Sequence, residues 1–123
     1  MGGLKRTHSK DRQEAIRTLS VPTPPLPHQP EAEESVIGQL LFDGRAIVQV
    51  LDLLVPEDFY HRAAEASYRA MVALATAPIP VPIDLLTVEE KLENLGLLEH
   101  LKPYGGRLWL AQGLFHIGDQ LIQ

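Results

Sequence analysis

The placement of proline constrains this 123-residue chain more than any other feature. Five of its ten prolines (Pro22, Pro24, Pro25, Pro27 and Pro30) fall within one ten-residue stretch, and three more (Pro78, Pro80 and Pro82) alternate in a second. Each proline fixes its own φ, lacks a backbone donor and biases the residue before it away from helix. The segment 21–30, VPTPPLPHQP, is therefore expected to be extended and polyproline-like. The segment 78–82 can be neither a helix nor a central strand and reads as a stiff connector.

These two breaks organise the chain. Residues 1–29 read as a flexible arm, basic and then proline-rich, with only weak helical amphipathicity around Arg12–Leu19. Residues 30–117 read as one helical domain and 118–123 as a C-terminal tail. At Pro30 the pattern changes: proline suits a first helical position, and Glu31, Glu33 and Glu34 lie at the positive end of the helix dipole. Val36, Ile37, Leu40 and Leu41 then recur on one face, with Gly44 as the stop. A second helix is expected from about Arg45 to Leu54, with Ile47, Val48, Leu51 and Leu54 inward.

Pro56-Glu57-Asp58-Phe59-Tyr60 reads as a turn that plugs an aromatic ring into the core. The third helix, roughly His61–Thr76, carries Ala64, Tyr68, Met71, Val72 and Ala75 on one face, and its alanines permit close helix approach. In the fourth, Thr87-Val88-Glu89-Glu90 reads as a capping box, Leu85, Val88, Leu92 and Leu95 recur at helical spacing, and Gly96-Leu97 suits a left-handed cap. The last helix is expected to start near Arg107 and to bury Leu110, Leu114 and Ile117. No segment shows strand alternation, so the expected fold is all-α, a compact bundle of about five to six short helices.

Charge and composition narrow the function. Residues 1–20 hold five basic and two acidic side chains and residues 21–30 none, so of the net charge of −5 residues 31–123 carry −8. An acidic body is a poor surface for nucleic acid, whose affinity comes largely from cations set against phosphates. The basic arm is the one segment suited to such contact. The chain has no cysteine, no signal peptide and no apolar run long enough for a membrane span, which agrees with a soluble cytoplasmic protein.

Catalytic signatures are missing from the sequence. There is no G-x-x-x-x-G-K-[ST] loop, no G-x-S-x-G elbow, and no pair among His8, His28, His61, His100 and His116 at metal-binding helical spacing. Gly105-Gly106-Arg107 could offer free amides to an anion, but a tight turn explains it more simply. The first-turn acids and Glu89, Glu90 and Glu93 read as dipole-stabilising and solvated residues. Trp109 lies between Leu108 and Leu110, so the three cannot share one face; it is either a core residue or an interface anchor.

In order and spacing, these pieces resemble the N-terminal domain of DnaB-type replicative DNA helicases across roughly residues 27–114. The resemblance rests on Pro27 with Glu31-Ala32-Glu33, Val36-Ile37-Gly38 with Leu40-Leu41, and Pro56-Glu57-Asp58-Phe59-Tyr60. It continues through Tyr68, Pro82-Ile83-Asp84-Leu85 with Thr87-Val88, and Gly105-Gly106 before Trp109-Leu110 and Leu114. It implies a helical, non-catalytic domain that forms a collar on the helicase ring and docks primase or a helicase loader. ATP and Mg would belong only to a separate motor domain, and no cofactor to this chain.

Carried over by position, the partner-facing candidates are Glu31 and Trp109, while Asp84 reads as a turn or cap residue. The sequence departs from the family pattern at Ala64, where histidine is common, at the proline-rich turn before Ile83, where glycine is usual, and at Trp109, where tyrosine is usual. It also ends at Gln123, after the first helix of the collar hairpin, which weakens the expectation of self-association. Two other readings compete. The helicase-binding domain of a primase has a similar fold, but the order of the Glu31-Ala32-Glu33 and Phe59-Tyr60 motifs disfavours it. A small helix-turn-helix DNA-binding regulator is disfavoured by the acidic body and the absence of a basic helix stripe.

Overall fold

The computed structural model describes residues 30–122, so the basic arm, the weak amphipathic stretch and the polyproline segment up to residue 29 lie outside the described residues. Helix α1 spans Pro30–Phe42 and buries Ala32, Val36, Ile37, Leu40 and Leu41, the face expected from its apolar spacing. It stops before Gly44, and that glycine has a different use. A Cβ there would lie 2.5 Å from the Ile83 carbonyl oxygen, so Gly44 lets the connector before α4 lie directly on the chain.

The expected second helix does not form as one element. Gly44–Ala46 is a 3-10 turn, α2 is confined to Ile47–Val50, and the chain then turns through Leu53. The amides of Leu53 and Leu54 both donate to the Val50 carbonyl, at 3.0 and 2.9 Å, tightening the end of the helix. Ile47 and Val48 are β-branched, as is Val50, which lowers helix propensity. The Leu54 carbonyl instead accepts the Tyr68 hydroxyl at 2.8 Å. Val48, expected inward, is 68% exposed, while Ile47, Val50 and Leu54 are buried.

A 3-10 turn at Pro56–Asp58 follows, closed by the Val55 amide donating to Asp58 Oδ2 at 2.9 Å. It delivers Phe59 into the core against Tyr68, ring centroids 5.2 Å apart. Helix α3, Arg62–Ala75, buries Ala63, Ala64, Ala66, Ser67 and Ala70 with Tyr68, Met71 and Leu74. Small side chains over two turns bring neighbouring backbones close, and the buried Ser67 hydroxyl is satisfied by the Ala63 carbonyl at 2.7 Å. The proline connector is irregular, as expected, and buries Ile83.

Helix α4, Leu85–Asn94, begins earlier than its expected capping box. Asp84 is the cap: its Oδ1 accepts the Thr87 amide at 2.9 Å, and Thr87 Oγ1 accepts the Asp84 amide at 2.9 Å. Thr87 therefore fills the reciprocal position and not the cap itself. Val88 and Leu92 are buried, whereas Leu95 is exposed. Gly96 ends the helix at φ 72° as the Leu97 amide donates back to the Leu92 carbonyl at 2.8 Å.

Two 3-10 turns, Leu98–His100 and Lys102–Tyr104, lead to α5, Arg107–Ile122. This last helix takes in residues 118–122, which the sequence reading left in a tail. Five α-helices and no strand are present among the described residues. The most extensive pairing is α1 with α5. It is possible because Gly38 faces Gly113: a Cβ on Gly38 would lie 2.3 Å from the Gly113 carbonyl oxygen. The ends of these two helices define the candidate site.

Candidate docking surface

Among the described residues no group of three or more His, Cys, Asp or Glu side chains could hold a metal ion, and no helix is long and apolar enough to cross a membrane. The features with functional geometry are surfaces. The first is organised by Glu33, which sequence reasoning grouped with the dipole-stabilising acids. Glu33 is only 1% exposed, and its carboxylate accepts the amides of Tyr60, at 3.1 and 3.0 Å, and of His61, at 2.8 Å. Hydrogen bonds to an ionised acceptor are among the stronger ones and offset the desolvation of a buried carboxylate. Glu33 thereby ties the first turn of α1 to the loop entering α3. The signal was legible: Glu33 lies three, four and seven residues before Val36, Ile37 and Leu40, on the apolar face.

His61 caps α3, its Nδ1 accepting the Ala63 amide at 3.2 Å, so the assigned tautomer carries its proton on Nε2. Its ring stacks on Trp109 with centroids 5.3 Å apart and planes at 17°, and meets Tyr104 at 4.4 Å and 47°. The starts of α1, α3 and α5 thus converge. Trp109 is 7% exposed, which places it with the core rather than as a projecting anchor. Glu31 is exposed at the start of α1, on the helical turn that Glu33 fixes. The loop entering α3 is bonded by Glu33 and not by Glu31, and its His61 ring joins Trp109 to the exposed Tyr104, while Leu108, next to Trp109 in sequence, is exposed. Gly105 and Gly106 have φ of 105° and 63°, the tight-turn geometry that starts α5. Arg107 there pairs with Glu89 at 3.3 Å, so Glu89 is more than a solvated acid.

A second surface lies at the other end of α1. It is an open groove of about 800 Å³ whose lining includes Phe42, Val48, Pro80, Val81 and Ile83, with Arg45 at its edge. In the interior, the Tyr68 hydroxyl is pushed above its usual pKa, first by burial and then by the negative charge of Asp58. Its proton is committed to the Leu54 carbonyl, a structural role. Nothing in this set pairs a nucleophile with a base.

Comparison with known proteins gives the family. Residues 25–113 match the family described as the DnaB-like helicase N terminal domain. The chain belongs to that family. The DnaB-like domain is 35% identical over 79 residues to the replicative DNA helicase DnaB of Geobacillus stearothermophilus, covering 61% of this chain and 17% of that helicase. It is 36% identical over 75 residues to the replicative DNA helicase DnaC of Bacillus subtilis, covering 61% and 16%. Against the replicative DNA helicase DnaB of Rhodothermus marinus the identity is 40% over 86 residues, covering 70% and 9%. The chain therefore spans under a fifth of the length of these relatives. No solved structure gives a significant match. The family match contains both Glu31 and Trp109, as well as Glu33 and His61.

Proposed function

We propose that this chain is a non-catalytic docking domain of a replicative DNA helicase, acting as part of the collar and as the site at which a primase or a helicase loader is received. The observation that supports it most is the family match over residues 25–113. The converged starts of α1, α3 and α5 supply the dock. Glu31 offers an exposed charge at the start of α1, and the His61 ring, stacked on Trp109, meets Tyr104, with Leu108 exposed on α5. A rigid aromatic platform with an apolar neighbour and a rim charge is a favourable interface composition. In this reading Trp109 acts by shaping the surface.

ATP and Mg chemistry belongs to a motor elsewhere in the helicase, since the sequence has no phosphate loop. DNA contact by this domain is confined to the basic arm, the domain takes part in helicase self-association, and the site of action is the cytoplasm. Sedimentation of the folded chain with the helicase-binding domain of the cognate primase, and separately with the cognate loader, tests the reading. A complex with either supports docking. Failure of both to shift the sedimentation of a sample that is helical by circular dichroism would reject it.

A further inference from the structure

We propose that His61 is a proton-operated clasp, whose ring gives up the cap on α3 when it gains a proton while staying stacked on Trp109. The position that His61 fills is ordinarily taken by Ser, Thr, Asp or Asn, whose side-chain oxygens accept a first-turn amide. Here the acceptor is a ring nitrogen: His61 Nδ1 takes the Ala63 amide at 3.2 Å. Among these acceptors imidazole alone loses its lone pair between about pH 5 and pH 8. An imidazolium donates from both nitrogens, so its Nδ1–H would face the Ala63 N–H and the bond could not persist. Proton and cap exclude each other. The residue is partly exposed, which leaves it open to exchange with solvent.

The groups around the ring act on a cation in two directions. The free amides that open α3 are the positive end of its dipole and repel it. From α1, the Glu33 carboxylate, bonded to the His61 amide at 2.8 Å, attracts it. From the turn before α5 comes the Tyr104 ring at 4.4 Å, and from α5 the Trp109 ring at 5.3 Å with planes 17° apart, both favourable to a cation. The other charged side chains of these segments are engaged elsewhere or in solvent. Glu65 is held by Arg69 at 2.9 Å and Arg107 by Glu89 at 3.3 Å, while Arg62 and Lys102 are exposed.

Repulsion is thus concentrated at the cap and attraction on the α1 and α5 sides, so the proton removes the first contact and keeps the others. The Ala63 amide is then released to water. The start of α3 is left to the Glu33 bonds with the Tyr60 and His61 amides, at the point where the starts of α1, α3 and α5 converge. This device does not depend on the docking reading.

The single tryptophan and the Ala63 amide provide two separate readouts. The full chain is titrated from about pH 8 to about pH 5, following Trp109 emission and the amide spectrum together. Protonated imidazole quenches a stacked indole, so emission is expected to fall. The Ala63 amide proton is expected to move upfield with the same midpoint as its bond is lost. His61→Asn and His61→Ser keep an oxygen cap that does not titrate in this range, and in both variants the two signals are expected to stay level. A native chain in which neither signal moves would overturn the proposal, as would equal responses in the native chain and the variants. Loss of emission with a fixed Ala63 amide would overturn it, because the cap would have outlasted the proton. An Ala63 shift with constant emission would overturn it as well, because the ring would have left Trp109.

Discussion

At the scale of single residues, two buried polar groups hold the helices in register. Glu33 closes the gap between α1 and the loop entering α3 through the Tyr60 and His61 amides. Glu33→Gln keeps the shape but removes the charge and sets an amide NH2 against one of those donors. A loss of about 1–3 kcal/mol is expected, read as a lower urea midpoint with unchanged slope. Tyr68 is the second. Its hydroxyl donates to Leu54 O, and burial with the nearby Asp58 charge raises its pKa above that of a tyrosine in the unfolded chain. The folded state therefore keeps the phenolic proton to higher pH than the unfolded state does. Stability from this group is fully present below about pH 10 and falls by about 1.4 kcal/mol per pH unit above it. Urea titrations across alkaline pH should show this decline in the native chain and its disappearance in Tyr68→Phe. At neutral pH the same variant should lose about 1 kcal/mol for the hydrogen bond.

At the scale of elements, the crossing of α1 and α5 sets how closely their backbones approach. Its two glycines are not equivalent. A methyl group on Gly38 would meet the Gly113 carbonyl oxygen at 2.3 Å, whereas one on Gly113 would find its nearest atoms, Glu34 Cγ and O, at 3.5 Å. Gly38→Ala is expected to destabilise by about 1–3 kcal/mol as the helices are forced apart. Gly113→Ala is expected to be neutral or to stabilise by up to about 1 kcal/mol, because alanine favours helix. Thermal melts of the two variants with opposite displacements would check this. The asymmetry was invisible in the sequence, where both are simply glycines in helices, because it depends on which carbonyl points across the contact. The helical periodicity of α1, α3 and α5 was legible because one face of each meets one core. The stretch Arg45–Leu54 misled because its apolar spacing fits a helix, while β-branched residues and the Leu54 carbonyl bonded to Tyr68 favour a tighter path. The same limit applies to the candidate site. Glu31 and Trp109 were found by resemblance, but the linking residues, Glu33 and His61, act through amides and ring stacking between segments nearly thirty and fifty residues apart in sequence.

At the scale of the whole molecule, residues 1–20 carry +3 and residues 31–123 carry −8, so attraction to phosphate differs between the two parts of the chain. The proposed part of the domain in recognition can be separated from its folding at neighbouring positions on α5. Leu108 is 63% exposed beside Trp109, while Leu110 is fully buried. Leu110→Ala removes core contacts and should lower stability by about 2–5 kcal/mol. Leu108→Asp removes no core contact, so its melting temperature should stay close to that of the native chain. If the face beside Trp109 receives primase or loader, the same aspartate buries an unpaired charge in the interface. It should then weaken the complex at least tenfold, about 1.4 kcal/mol. The measurement is calorimetric titration at a temperature where both variants are more than nine-tenths folded. A Leu108→Asp chain that binds as tightly as the native one would move the dock away from this face, and the groove around Phe42 would then be the surface to probe by Val48→Asp.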